Sequence, residues 1–448
     1  MVKLSKMTYK KAGVSIDHQN QVNEEIMKRL QNKGIDMKGL FGGTIDISRF
    51  KGKKHLYLNI FCHPVSGKIE NMKALGSKAA EEAFSCIGKE TPMGVLDYIA
   101  SSKMESFIAD FVEGIAEESL RNKCSVLGGE SAQMRDTYNK DMFDAFVHVL
   151  TLNDKSGVCD ISNIVNSMER PILVASTDGT GTKTKIIRNP EDVIYHGFND
   201  TATLGARPVC FSLYIAGNEN LEDIIKIGLK AQKKFKKSDF KILQPKYVRN
   251  GEVYLEGELD IAGTAVGIVD KKDIIDGSNV KKGDVIVGIA TDGLMTNGYT
   301  LARRLCNEIT ELNKESLKEE LSRPHRYFTD VLFGYENIEG VLTKFRGKVK
   351  GMAHITGGGQ DGNIIRMIPS GLIACLSKDV LPVPRIMNLF GNHGVSQDEL
   401  YRTFNMGIGF TLTVSNNCSK EITNYINKNF RYSIKGVDRK AAQIGEII

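Results

Sequence analysis

The sequence predicts an α+β protein in which one domain type occurs twice in tandem and a different domain follows. Three observations support this. Short apolar runs rich in β-branched residues recur along the chain: "HLYLNIF" (55–61), "AFVHVLTL" (145–152), "PILVAST" (171–177), "DVIVGIAT" (284–291) and "GFTLTV" (409–414). They read as buried strands. Between them lie amphipathic stretches such as "MESFIADFVEGIAEESLRNK" (104–123), where Phe107, Ile108, Phe111, Val112, Ile115 and Leu120 form a stripe at helical spacing. Several strands follow one another closely, so the layers are α+β rather than a regular strand–helix alternation.

The third observation is internal repetition. "VLDYIASSKMESFIADFVEGIAEESL" (95–120) and "CFSLYIAGNENLEDIIKIGLKAQKKF" (210–235) each give a short strand, then Tyr-Ile-Ala, a polar turn and an amphipathic helix. "AFVHVLTLNDKSGVCDISNIV" (145–165) parallels "GTAVGIVDKKDIIDGSNV" (263–280) through a strand, Asp-Lys, an acidic Ile-rich turn and Ser-Asn-Ile/Val. The expected order is an N-terminal segment (1–40) with "YKKAGV", a first copy (41–166), a second copy (167–280) and a C-terminal domain (281–448).

With 448 residues there is room for several cores. The net charge of +6 is spread out, and the one dense basic run, "KAQKKFKK" (230–237), holds a single aromatic, Phe235. It reads as a solvated helix face, not a nucleic-acid footprint. The eight cysteines are scattered, with no C-x-x-C, which excludes a disulfide framework and a zinc site and suggests a reducing compartment. No apolar stretch approaches membrane-spanning length and "MVKLSKMTYKKAG" lacks a signal core, so a cytoplasmic protein without membrane partners is expected.

The chemistry concentrates in Gly-rich segments. "ASTDGTGTKTK" (175–185) follows a strand but lacks the Walker A spacing. Gly179 and Gly181 permit close backbone approach, and exposed amides of Gly179, Thr180, Gly181 and Thr182 would form an anion-binding nest. Lys183 can bring a point charge to a phosphate. Asp178 would repel a phosphate, so it reads as a Mg²⁺ ligand bridging to a nucleotide, and "FND" (198–200) offers Asp200 as a second carboxylate. "VLGGESAQM" (126–134) reads as a Gly-Gly turn, Gly128–Gly129, presenting Glu130. "TDGLMTNGYTLARRL" (291–305) sets Gly293, Asn297 and Gly298 before a helix, an anion site at its N-terminus. "MAHITGGGQDGN" (352–363) places His354 and Thr356 before three glycines, as substrate contacts.

Taken in order, "TYKKAGVSID", "LGGESAQM", "STDGTGTK", "DIAGTAVGIVDK", "GDVIVGIATDGLMTNGYTLARRL", "RPHRYF", "AHITGGG" and "YRTFNMGIG" resemble the signatures of the phosphoribosylformylglycinamidine cyclo-ligase (aminoimidazole ribonucleotide synthetase) family. The likeness spans most of the chain and is strongest over 255–448. The wider superfamily, including formylglycinamidine synthase, selenophosphate synthetase and thiamine-phosphate kinase, shares the Gly-rich Asp loop. The resemblance implies two AIR-synthetase-type N-terminal domains in tandem followed by one AIR-synthetase-type C-terminal domain. It implies ATP and Mg²⁺ as cofactors and formylglycinamidine ribonucleotide as substrate, whose formyl oxygen is phosphorylated before an amidine nitrogen closes the imidazole ring. Lys10, Asp178, Lys183 and His354 are then the expected catalytic residues. Gly128–Glu130, Gly179–Thr182 and Asn199 would hold ATP, with Asp178, Asp200 and Glu130 on the metal. Asn297, Gly298, Thr356, Gly357 and Gly358 would hold the substrate.

This sequence departs from the family pattern in an informative way. The "GGESAQM" segment precedes "DGTGTK", reversing the family's order. The first copy has "CHPVSGK" (62–68) at the phosphate-loop position, and the second has "KILQPKYVRNGEVYLEGELD" (241–260) in place of the Gly-Gly-Glu segment. Duplication with complementary loss is expected, giving a pseudo-dimer within one chain and a single composite ATP site, in a monomer or homodimer. Met295 stands where the family has a histidine, and Lys11 where it has an acid. Two other readings are open: an enzyme of the same superfamily that activates another amide, and a nucleotide-binding regulator without turnover.

Overall fold

The computed structural model describes residues 8–12, 14–35, 41–291, 293–308, 314–377, 380, 383–430 and 440–448. Gly13 of the N-terminal motif, residues 36–40 of the N-terminal segment and Asp292 of "TDGLMTNGY" lie outside the described residues. The chain forms two compact units, one of Ser15–Thr201 with Ala206–Lys272, the other of Met1–Val14, Ala202–Gly205 and Asp273–Ile448.

The first unit contains the two stretches expected from the sequence to be a first and a second copy, each with a sheet of its own. It opens with α1 (Ile16–Asn32), whose N-cap Ser15 accepts from the His18 amide, and β1 (Gly43–Asp46). The first copy runs β2 (Tyr57–Lys68), α2 (Met72–Cys86), β3 (Thr91–Ser101), α3 (Phe107–Arg121), β4 (Ser125–Gln133), β5 (Met142–Asn153), β6 (Cys159–Asp160) and α4 (Ser162–Ser167). The second runs β7 (Pro171–Gly179), α5 (Glu191–Ala202), β8 (Arg207–Gly217), α6 (Leu221–Lys234), β9 (Lys241–Ile242), β10 (Lys246–Arg249) and β11 (Leu259–Asp270). The first sheet is ordered β4-β3-β5-β2-β6, and the second β10-β8-β11-β7-β1, with β9 also on β8. In both, the outer pair (β3 with β4, β8 with β10) is parallel, and the next strand inward runs antiparallel.

Strand alternation explains how the sheets are covered. On β3, Val95 and Ile99 pack with Phe107, Phe111 and Ile115 of α3 on the helical face. Leu96 and Tyr98 turn to the opposite face, where Leu96, Leu150 and Leu152 meet Leu173, Val266 and Ile268 of the second sheet. The two copies therefore bury one face of each sheet against the other. Further along that interface is a closed polar network. Tyr98 Oη donates to Asp260 Oδ2 at 2.8 Å and Tyr138 Oη to the same oxygen at 3.1 Å. Tyr254 and Tyr214 donate to Asp144 Oδ2 at 2.7 and 3.0 Å. Tyr138 and Tyr254 hydroxyls lie 3.3 Å apart, and His148 Nδ1 lies 2.7 Å from Thr264 Oγ1, each pair separated by 116 residues. The same spacing relates Tyr98 to Tyr214 and Asp144 to Asp260. Each copy thus lends its tyrosines to the other's aspartate, as the two partners of an isologous contact do. Burial pushes the Asp144 carboxyl up to about 7 and that of Asp260 to about 6.

Three expectations change. The Gly128–Gly129 segment is no turn: Ser125–Gln133 is one strand, parallel to β3, with Leu127 bulged out of register between Val126 and Gly128. Pairing with β3 keeps the chain extended through both glycines. β1, within the span assigned to the first copy, pairs with β7 of the second sheet. The described residues of the N-terminal motif join the C-terminal unit, where Arg304 donates to the Lys11 carbonyl at 2.8 Å.

The C-terminal unit holds a five-stranded antiparallel sheet in the order Val349–His354, Ile408–Ser415, Asp284–Ala290, Ala441–Ile447, Ala374–Leu376. The helix Asn416–Asn429 packs Ile422 and Ile426 onto Val285, Val287 and Leu412.

Candidate active site

The phosphate-loop candidate begins on the last two residues of β7 and continues into a 3₁₀ turn, Gly181–Lys185. Gly181 has φ +61°, a left-handed conformation that glycine adopts without strain. At Gly179 a Cβ would lie 2.4 Å from Tyr98 Oη, so the glycine admits the tyrosine of the other copy. The loop is pinned from behind: Thr180 N donates to Ile261 O at 2.7 Å and Gly179 N to Asp178 Oδ1 at 2.6 Å, so these two amides are taken up within the protein and the expected anion nest narrows to Gly181 and Thr182.

Helix α5 brings the second carboxylate. Asp200 accepts from Ser176 Oγ at 3.3 Å. One turn earlier on the same face is His196, whose Nε2 lies 2.8 Å from Asp178 Oδ2 and 3.7 Å from Asp200 Oδ2. Burial works to lower the His196 pKa, but Asp178, Asp200 and Glu130 outweigh it and raise it to about 9. The imidazole therefore sits against two carboxylates, those of Asp178 and Asp200, which favour its charged form. Glu130 pairs in register with Tyr98 on the neighbouring strand, and the Tyr98 hydroxyl reaches Gly179, so the two Gly-rich segments lie on either side of one tyrosine.

Lys183 is placed otherwise than its expected role demands. Its side chain has no exposed surface, and Nζ lies 2.7 Å from Asp192 Oδ1 at the start of α5, also without exposed surface. A buried ammonium needs a carboxylate, and α5 supplies one. Asn199 is buried on the same helix. His196 and Asp97 were missed by the sequence reading. Asp97 pairs in register with Gly129, and burial pushes its carboxyl up to about 7. The signal for His196 was its i, i+4 spacing from Asp200; for Asp97 it was the tyrosine beside it, since a motif tyrosine facing the sister sheet turns its neighbour to the helical face.

The donor set suits a hard divalent cation and phosphates. Carboxylate oxygens are the natural Mg²⁺ ligands, and Thr180 Oγ1 is buried with no hydrogen-bond partner among the described residues. In the C-terminal unit, three loops are tied together. Asn363 Nδ2 donates to the carbonyls of Thr356, Gly357 and Gly359 at 3.4, 3.1 and 2.7 Å, and Asn405 Nδ2 to Gly293 O at 2.9 Å. Gly298 and Gly358 have positive φ, and Asn297 precedes the helix Tyr299–Glu308. His354 Nε2 lies 2.9 Å from His325 Nε2, whose Nδ1 is 3.1 Å from Thr296 Oγ1. An imidazole, that of His325, thus stands one bond from the neighbour of Met295. Lys10 is exposed in this same unit.

Family models account for both units. The model described as AIR synthase related protein, N-terminal domain, matches residues 47–150 and again 155–269, and that of the C-terminal domain matches 281–448. The chain belongs to the AIR synthase related family. A phosphoribosylformylglycinamidine cyclo-ligase of Thermodesulfovibrio yellowstonii is 34% identical over 281 residues, 59% of this chain and 80% of that protein. One from Clostridium perfringens is 33% identical over 311 residues, 67% of this chain and 90% of that protein. Among solved structures, HypE of E. coli is similar with TM-score 0.47 and 18% identity, covering 66% of this chain and 84% of that one. No described helix is long and apolar enough to cross a membrane.

Proposed function

We propose that this chain catalyses the ATP-dependent cyclisation of formylglycinamidine ribonucleotide to aminoimidazole ribonucleotide, releasing ADP and phosphate, in de novo purine biosynthesis in the cytoplasm. The observation that carries the reading is the convergence of Asp178 and Asp200 on His196, next to Gly179, which is in contact with Tyr98, the strand partner of Glu130. Names of relatives agree with it. Asp178, Asp200 and Glu130 would hold Mg²⁺, which when bound neutralises the triphosphate. The loop amides of Gly181 and Thr182 and the Thr180 hydroxyl would orient the phosphates, a positioning role typical of phosphoryl transfer. Lys183, through Asp192, fastens the loop to α5. In the C-terminal unit, Asn297, Gly298 and Thr356–Gly358 bind the ribonucleotide. The His354–His325 pair is positioned to hold or move a proton at its shared Nε2 atoms. Lys10 would add a charge.

The repeat supports a second part of the reading: duplication of an N-terminal domain, with the family's two-subunit contact carried inside one chain. Its support is the matching order of four strands in the two sheets, β4-β3-β5-β2 and β10-β8-β11-β7, and the reciprocal tyrosine–aspartate bonds. The test of function is incubation with formylglycinamidine ribonucleotide and MgATP, following ADP and the aminoimidazole together. Equimolar appearance of both is expected. ADP without aminoimidazole would point to another amide substrate, and nucleotide binding without ADP to a regulator.

A further inference from the structure

We propose that Tyr98, from the first copy, is a positioning residue for the phosphate loop of the second copy, acting through the space left at Gly179. The inference rests on the reading that this loop takes nucleotide phosphates.

Tyr98 lies on β3 and is fully buried. Its hydroxyl donates to Asp260 Oδ2 at 2.8 Å, which fixes the ring. Asp260 Oδ1 in turn accepts from Ile261 N at 2.8 Å, and the Ile261 carbonyl accepts from Thr180 N at 2.7 Å. The hydroxyl also occupies the space where a Cβ at 179 would come within 2.4 Å. The backbone between Asp178 and Thr180 is thus held on one side by a hydrogen-bonded chain and on the other by contact with a rigid ring. Any loss of Tyr98 support loosens the segment that carries Asp178 and the Thr180 hydroxyl and leads into the amides of Gly181 and Thr182.

The molecule contains a matched control. Tyr214 is the counterpart of Tyr98, equally buried, and donates to Asp144 at 3.0 Å. The strand that it backs lacks the site. Gly179 pairs with Ala262 and Pro64 pairs with Phe146, the residue 116 positions earlier. Pro64 therefore stands where Gly179 does, and His63, paired with Glu82 at 2.7 Å, stands in the place of Asp178. Both tyrosines serve the interface; only Tyr98 serves the loop.

The experiment compares Tyr98→Phe and Tyr214→Phe in the full chain, with two readouts. Hydrogen exchange of the Gly181–Lys185 amides, measured without nucleotide, should quicken in Tyr98→Phe and stay unchanged in Tyr214→Phe. MgATP affinity should fall about tenfold in Tyr98→Phe and less than about twofold in Tyr214→Phe, while unfolding temperatures of the two drop alike. Equal effects of the two substitutions on the loop amides, or no effect of Tyr98→Phe, overturn the inference. Absence of MgATP binding by the unaltered chain would remove the nucleotide reading, and the exchange result would still decide the role of Tyr98. Asp260→Asn, which keeps an acceptor for the Tyr98 hydroxyl, should retain slow exchange in the loop; quickened exchange there with Tyr98 intact would also count against it.

Discussion

Lys183 and Asp192 show how much a single residue's role depends on its partner. From sequence, Lys183 was a charge for a phosphate; in the fold its ammonium is wholly buried against Asp192. Removing one member of a buried pair leaves the other charged and desolvated, which costs about 3–5 kcal/mol. Lys183→Met and Asp192→Leu should each lower the unfolding free energy obtained from urea titration by that order. The pair Lys183→Met with Asp192→Leu should lose less than either single change, and a loss equal to their sum would show that the two do not act together. His196 illustrates the reverse case, a residue whose importance came only from the fold. Asp178 and Asp200 raise its pKa to about 9 in the protein without metal. In Asp178→Asn the imidazole should titrate markedly lower by NMR, and MgATP turnover should fall by about a hundredfold or more. An unchanged titration would detach His196 from the carboxylates. Asp178 stands out in the sequence because an acid beside a Gly-rich loop has few structural uses, and Asp200 only through its place in the same repeat. It left His196 and Asp97 unread, since a lone histidine or aspartate shows no direction until its strand or helix face is known.

At the scale of elements, apolar runs were read correctly as strands, and the stripe of α3 was read as a helix, because alternation and helical spacing are set by local geometry. What local pattern could not show was pairing. Glycines at 128 and 129 suggest a turn, yet β3 offers a parallel edge that keeps them extended. β1 was grouped with its sequence neighbours, but its hydrogen bonds go to β7. The strand faces that meet across the interface carry another consequence. Asp144 on β5 is raised to about 7 by burial, above the unfolded carboxylate range near about 4. The folded protein therefore binds a proton that the unfolded chain releases. This contribution is full below about pH 4 and is lost as pH rises through about 7. His148, held neutral by burial at about 3, acts in the opposite sense below its unfolded value of about 6.5. It is common to both proteins when the parent is compared with Asp144→Asn. Between about pH 5 and pH 8, the unfolding temperature of the parent should fall relative to that of the variant. Parallel pH profiles would show that Asp144 is ionised in the fold at all these values.

For the molecule as a whole, the repeat raises a question of stoichiometry. A contact between two like domains generates two related sites, and a chain that contains both domains could bind two nucleotides. The register decides against it. Glu130 pairs with Tyr98, and the residue in the same relation to Tyr214 is Lys246. Asp178 corresponds in the same way to His63. At the second position, two of the three carboxylates proposed for the metal, Glu130 and Asp178, are thus replaced by basic or neutral groups, a change of sign unsuited to a divalent cation that needs anionic oxygens. One MgATP per chain is therefore expected in isothermal titration. Asp178→Asn should abolish or greatly weaken that single event, while His63→Ala, at the related position, should leave both its stoichiometry and its affinity unchanged. Two binding events per chain, or a fall in MgATP binding in His63→Ala as deep as in Asp178→Asn, would mean that the second position still takes the metal-bound nucleotide, and that loss in the two copies was not complementary.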